Sequence, residues 1–109
     1  MMKDRKLEVE DITVTGFNFS NTQLIVDYSR YEEDIDTDHV GHIVFTGVKD
    51  FTIDDSPANK ADMFYNDGEI IHFELDDDKA LVIIQWNDFP KPARKMLAYT
   101  FEFLTMQAS

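Results

Sequence analysis

A chain of 109 residues is the length of one domain, and its 43% hydrophobic and 13% aromatic content is enough for a packed core. The absence of cysteine excludes a disulfide scaffold, thiolate zinc sites and a thiol nucleophile. The net charge of -12 and a pI near 4.3 argue against nucleic acid as a ligand, because its phosphates would repel the chain. We therefore expect a single domain over residues 1–109 with no nucleic-acid partner.

No apolar run near the N-terminus resembles a signal-peptide core, and no stretch approaches the roughly 18 apolar residues of a membrane span. The expected location is the cytoplasm, with no membrane partner.

The acidic residues are concentrated in the middle of the chain. Residues 31–78 contain 15 acids against two bases, Lys49 and Lys60, a local charge of -13. Residues 1–30 sum to -1 and residues 79–109 to +2. A block of one sign destabilises the compact state by self-repulsion, so it indicates a surface that meets something positive.

Alternating apolar and polar residues predict strands in the first half of the chain. Residues 7–17 alternate with a change of parity at Asp11, which indicates a bulge there. Residues 18–21 are turn formers that predict a hairpin into a strand at 22–31. After the acidic loop that follows, residues 39–48 and a short segment at 51–53 return to strand character.

The second half of the chain predicts one short helix and three more strands. Asp54-Asp55-Ser56-Pro57 reads as a helix start, so a helix is expected near 57–65. Strands follow at 69–75, 80–87 and 94–104, and residues 80–87 are apolar on both faces, as in a central strand covered on both sides. The prediction is a mostly β fold of about six mainly antiparallel strands, arranged as a meander, small sandwich or half-barrel.

Two patterns suggest metal binding, and neither of them meets the requirements of a site. Counting from Asp34, a calcium loop needs Gly where His39 stands and Glu where Phe45 stands. His39 and His42 are three apart, so in a strand they point to opposite faces unless Gly41 forms a bulge. His72 and Glu74 share a face, where a surface hydrogen bond is expected. We predict no metal site and no cofactor.

The sequence contains no recognisable catalytic motif. No serine lies in a Gly-x-Ser-x-Gly elbow, and four glycines form no phosphate-binding loop. The expectation is that the protein is not an enzyme.

The candidate partner-binding residues are the acids of three clusters, at residues 32–38, 54–55 and 74–78, and two tyrosines beside them. Trp86, in a central strand, is expected in the core, whereas Tyr31 and Tyr65 lie outside the strong alternation and suit an interface. The candidates are Tyr31, Glu32, Glu33, Asp34, Asp36, Asp38, Asp54, Asp55, Tyr65, Glu74, Asp76, Asp77 and Asp78.

In size, charge and strand pattern the chain resembles the small, acidic, β-rich immunity proteins of bacterial toxin–immunity systems, including contact-dependent growth inhibition. The segments 32–38 (EEDIDTD) and 84–88 (IQWND) carry this likeness. The resemblance implies a cytoplasmic protein that binds one cognate toxin domain, often a basic nuclease. Its carboxylates would take the place of substrate phosphates and pair with Lys and Arg of the toxin.

Three alternatives remain open at the level of sequence. The first is an acidic interaction module of another kind, the second is a nucleic-acid mimic that binds DNA-binding proteins, and the third is a β-barrel-like binder of a small molecule. Binding that weakens steeply with salt distinguishes the electrostatic cases from the pocket binder.

Overall fold

The computed structural model describes residues 4–6, 12–32 and 37–109, and every regular element in these ranges is a β-strand. The expectation of a mostly β fold is confirmed, while the count of six strands is wrong because the described ranges contain eleven. The strands are β1 Asp4–Lys6, β2 Ile12–Ser20, β3 Gln23–Glu32, β4 Thr37–Thr46, β5 Lys49–Ile53, β6 Ser56–Pro57, β7 Ala61–Asp62, β8 Asp67–Asp76, β9 Lys79–Asp88, β10 Ala93–Glu102 and β11 Thr105–Ala108.

All the strands belong to one antiparallel, open sheet with the order β11-β4-β3-β2-β8-β9-β10-β5-β6, while β1 pairs with β8 and β7 with β2. Two meanders make up most of it, β2-β3-β4 and β8-β9-β10. They join where β2 meets β8, at the pairs Thr13–Glu69 and Val14–Gly68. A sheet of this width curls, because adjacent strands twist relative to one another.

The core lies on the concave side of the curled sheet, where aromatic rings from the two meanders meet. Phe45 of β4 lies with its ring centroid 4.9 Å from that of Phe101 in β10 and 5.1 Å from that of Phe103. Phe19 of β2 stacks on Phe51 of β5 at 4.1 Å. These strands are not neighbours in the sheet, so the contacts show that its two ends face each other across one hydrophobic core.

Trp86 is the largest fully buried side chain, as expected from the sequence. Its indole N–H donates a 2.8 Å hydrogen bond to the hydroxyl of Tyr99 on the neighbouring strand. Gly68 faces the ring from β8, and a Cβ at that position would lie 2.6 Å from it. Glycine is therefore required for the close approach of the β2–β8 junction to the indole.

The expected helix near 57–65 does not form. Asp54 and Asp55 have φ of 50° and 69°, which reverses the chain in a tight two-residue turn after β5. The Asp54 carboxylate accepts the N–H of Ala98 at 2.8 Å instead of capping a helix. Ser56–Pro57 becomes β6, followed by Ala61–Asp62 as β7. The same residues favour a helix start and a left-handed turn, and the pairing with β10 decides between them.

Two bulges shift the predicted alternation by one residue. In β2 the bulge falls at Thr15, and the predicted one at Asp11 lies outside the described residues. In β8 the extra residue is Ile71, so Ile70 is buried and Ile71 is 41% exposed, whereas strict alternation would place Ile71 on the same face as Phe73 and Leu75. β2 extends to Ser20, into the turn predicted at residues 18–21. The chain reverses at residues 21–22, which both have positive φ.

The expectation that the strand at 80–87 is covered on both faces is also wrong. Val82, Ile84 and Trp86 of β9 point into the core, but Leu81 and Ile83 point to the convex side and do not join the core cluster. No described element is a helix that could form a second layer there. On the convex face of β9, Leu81 and Ile83 are only partly buried.

We predict that Tyr99→Phe lowers the free energy of unfolding by about 1–3 kcal/mol, because the buried Trp86 N–H loses its acceptor. Tyr28→Phe, whose hydroxyl makes a longer 3.3 Å bond to the Ser109 carbonyl, is the control and should change stability by less than about 0.5 kcal/mol. Urea titrations of both variants measure the difference, and equal losses would contradict the prediction.

The same residue makes the stability of the fold depend on alkaline pH. Burial raises the pKa of Tyr99 from 10.0 to about 12; the nearby Asp54 charge adds to the rise and the bond from Trp86 opposes it. Because the folded pKa is the higher one, this contribution is complete below pH 10.0 and is lost as the pH rises towards about 12. Tyr99→Phe should flatten the fall in stability over this interval, measured by urea unfolding at a series of pH values.

Candidate functional site

A groove of about 430 Å³ lies at one end of the convex face, beside the turn between β8 and β9. Residues of four strands line it, and they include four carboxylates and one ammonium group. We call it the acidic groove. Its lining residues are Asp50, Glu74, Asp76, Lys79, Ala80, Leu81, Thr100, Phe101 and Glu102.

Strand register brings the four carboxylates together. Asp76 of β8 and Glu102 of β10 are both paired with Lys79 of β9, one on each side. Glu74 lies one step along β8 on the same face, opposite Leu81. Asp50 comes from β5, the strand on the other side of β10. Three separate segments of sequence therefore place their acids on one surface.

Two lysines partly neutralise the groove. Lys79 lies between the acids of β8 and β10, and the Lys49 Nζ is 3.6 Å from the Glu102 Oε1. Four carboxylates against two ammonium groups leave a local charge of -2, to which Asp77 and Asp78 add at the adjacent turn. The surface is accessible to water, so it presents negative charge without the large desolvation penalty of buried ions.

The third predicted acidic cluster therefore contributes some of its residues to the lining of the acidic groove. Glu74 and Asp76 line it, while Asp77 and Asp78 are exposed at the turn tip. The Asp78 carbonyl also accepts the N–H of Phe103, which ties this turn to the end of β10.

The second cluster has a structural role at Asp54. Its carboxylate ends the pairing of β5 with β10 by binding the Ala98 N–H, and Asp55 is exposed beside it. Neither residue lines the acidic groove.

Only the ends of the first cluster are described, at the end of β3 and the start of β4. Asp38 is exposed in β4, and Tyr31 and Glu32 form the end of β3, where they pair with Asp38 and Thr37. Glu33, Asp34 and Asp36 lie outside the described residues. Asp38, the acid of this cluster whose side chain is described, does not line the groove with Glu74 and Asp76.

Tyr65 packs against the hydrophobic core, and its ring lies 4.7 Å from that of Phe64. Of this pair, Phe64 is the more exposed to solvent. The expected interface tyrosine therefore contributes to folding, and the aromatic surface at this position belongs to its neighbour.

The histidines occupy three separate places. Gly41 continues the β3–β4 ladder without a bulge, so His39 and His42 lie on opposite faces. The His42 Nδ1 is 2.7 Å from the Asp27 Oδ1, and the His72 Nε2 is 3.0 Å from the Glu74 Oε1, which confirms the expected His72–Glu74 hydrogen bond. Within the described ranges, no group of three or more histidine or acidic side chains is arranged to hold a metal ion.

Sequence reasoning missed Asp50 and Glu102. The alternation of Tyr99, Phe101 and Phe103 was sufficient to place Glu102 on the outer face. Its position across Lys79 from Asp76 depends on strand order, for which the sequence contains no local signal. Asp50 has φ of 55°, a conformation that aspartate tolerates better than most residues, but it stands in no recognisable turn motif.

Comparisons with protein-family models, with curated proteins and with solved structures find no match for this chain. The part of the chain that the structure describes contains no helix able to cross a lipid bilayer.

We predict that Asp50→Asn combined with Asp76→Asn raises the free energy of unfolding by roughly 0.5 kcal/mol at low salt, because it relieves repulsion in the acidic groove. Asparagine also tolerates the positive φ of position 50. The gain in the free energy of unfolding should be present at about 0.01 M NaCl and absent at about 1 M NaCl, because the Debye length falls from about 30 Å to about 3 Å over this range.

Asp88→Asn is the control, since it removes an acid from the opposite end of β9, beside the turn that carries Lys91. It should give no gain at low salt. An equal gain in the control, or a gain in the double variant that persists at high salt, would show that repulsion within the groove is not the cause.

Proposed function

We propose that this protein is an immunity protein of the cytoplasm, which binds a basic bacterial toxin domain and blocks its active site. The acidic groove is the part of its surface that makes first contact. One observation carries the proposal: acids from β5, β8 and β10, distant in sequence, converge on one groove although their mutual repulsion disfavours folding. A nuclease is the expected toxin, because such an enzyme already carries Lys and Arg that bind phosphate.

The proposed mechanism is electrostatic and steric. Carboxylates of the acidic groove form charge-assisted hydrogen bonds with Lys and Arg of the toxin and occupy the place of substrate phosphates. Long-range attraction between the net charge of -12 and a basic partner raises the association rate. A rapid association is what an inhibitor of a lethal enzyme needs.

The acids are held on strands, and this favours specific recognition over general attraction. Glu74, Asp76 and Glu102 lie on paired strands of the sheet, so their backbones are fixed before binding. Preorganised groups lose less conformational entropy on association than groups on mobile loops.

A small-molecule binder of the β-barrel type has less support. The concave side of the sheet is filled by the aromatic contacts of Phe45 and Phe17 with rings of the opposite meander. The space that a barrel would offer to a ligand is thus occupied by the protein's own core.

The test begins with a pull-down from the source cells at low salt, eluted with a salt gradient, to identify one basic partner. The association rate of the purified pair is then measured for a groove variant, Asp50→Asn, Glu74→Gln, Asp76→Asn and Glu102→Gln combined. We expect its association rate to fall at least about tenfold at low salt, with loss of protection against the partner's activity.

A loop variant provides the matched control, since Glu33→Gln, Asp34→Asn, Asp36→Asn and Asp38→Asn also remove four charges. It should reduce the association rate less than the groove variant. A larger effect in the loop variant would move the interface to the β3–β4 hairpin. Unchanged kinetics in both variants, or no basic partner, would refute the electrostatic mechanism.

A further inference from the structure

The convex face of β8-β9-β10 presents apolar side chains that the core does not use. Leu81 and Ile83 of the central strand point outward and are partly buried among their neighbours. On the flanking strands, Met96 is 52% exposed and Ile71, the extra residue of the β8 bulge, is 41% exposed. The outward face of an antiparallel sheet is normally polar where water covers it, so this patch marks a contact surface.

Acidic residues lie along the same face. On β8, Glu69 is paired with Gln85 of β9, and further along the strand Glu74 is paired with Leu81 of β9. The acidic groove follows at the end of the face and includes Leu81 in its lining. The apolar centre therefore continues into the groove without a break.

We propose that this face binds an amphipathic helix of the partner, rich in Lys and Arg. The proposal rests on the proposed function and names the structural element that the groove receives. The apolar side of the helix covers Leu81, Ile83 and Met96. Its cationic residues reach the acids along β8 and in the groove, so one binding event satisfies both the uncovered apolar surface and the negative charge.

The dimensions of the face suit a single helix. Three strands about 4.8 Å apart give a width of about 10 Å between the outer two, close to the diameter of a helix. The ten residues of β9 extend over about 33 Å, which matches a helix of about 20 residues.

Charge decides between this occupant and a second copy of the chain. Two copies packed through this face with their strands parallel would bring their acidic grooves against each other, and in any orientation the contact joins two molecules of net charge -12. Like charges across an interface are strongly unfavourable, whereas a cationic helix complements them. A basic helix with one apolar side is the occupant that matches both properties of the surface.

The test uses two synthetic peptides of about 18 residues, or about 27 Å as a helix. Both have the same leucine and lysine composition, but one has the leucines on a single helical face and the other has a scrambled order. We expect the amphipathic peptide to bind the full chain about tenfold more tightly in moderate salt, and to become helical by circular dichroism. Met96→Ser with Ile71→Ser should remove that preference.

Val40→Ser, at a 65% exposed apolar residue of the β3–β4 hairpin, is the control and should keep the preference. Both altered residues of the test variant are exposed, so its fold is retained, and its thermal unfolding verifies this. The groove variant described above should weaken both peptides and leave the preference between them.

Equal binding of the two peptides would overturn the helix proposal and leave a purely electrostatic partner, as in the proposed function. Binding of neither peptide would also overturn it, and the proposed function would then be decided by the partner kinetics alone. Self-association that Met96→Ser with Ile71→Ser abolishes would assign the face to a second copy and overturn the proposal.

Discussion

The structure depends on one constraint: the described sheet has no helix to cover it, so it must cover itself. The meeting of Phe45 with Phe101 and Phe103 fulfils this constraint, because it brings β4 and β10 together across the core. Burial of these rings supplies the hydrophobic free energy that keeps the sheet curled. The curvature also determines the positions of the side chains on the convex side, including those of the acids.

Placing the acids on the convex face has a physical consequence for stability. The core fixes the strands, and the strands in turn fix the carboxylates of Glu74 and Asp76 on β8 and of Glu102 on β10, on either side of β9. Like charges this close oppose folding, although their exposure to water weakens the repulsion. In this arrangement the hydrophobic core stabilises the fold, while the exposed carboxylates are available for contact with a partner.

Periodicity was sufficient to predict the core and the fold class. The alternation of Tyr99, Phe101 and Phe103 and the apolar run around Trp86 identify buried strands, because a period of two has a direct meaning in a pleated sheet. The bulge at Ile71 escaped prediction, since nothing in the local sequence distinguishes a bulged from a regular pair. The segment from Asp54 was misread because the residues that cap helices also tolerate left-handed turns.

The candidate site was predictable only in part, for a related reason. Glu74 and Asp76 are conspicuous as part of an acidic run, whereas Asp50 and Glu102 join them through the pairing of β5 with β10, which spans about half the chain. Such long-range pairing is decided by the tertiary structure as a whole, and neither local composition nor spacing encodes it.

The junction of the two meanders also shapes how the molecule folds. Each meander consists of hairpins between consecutive strands, which form quickly because their loops are short. The pairing of Val14 with Gly68 joins residues 54 positions apart, and Gly68 must meet Trp86 at the same place. We expect this closure to be the slow step of folding, with two preformed hairpin units combining late around the indole of Trp86.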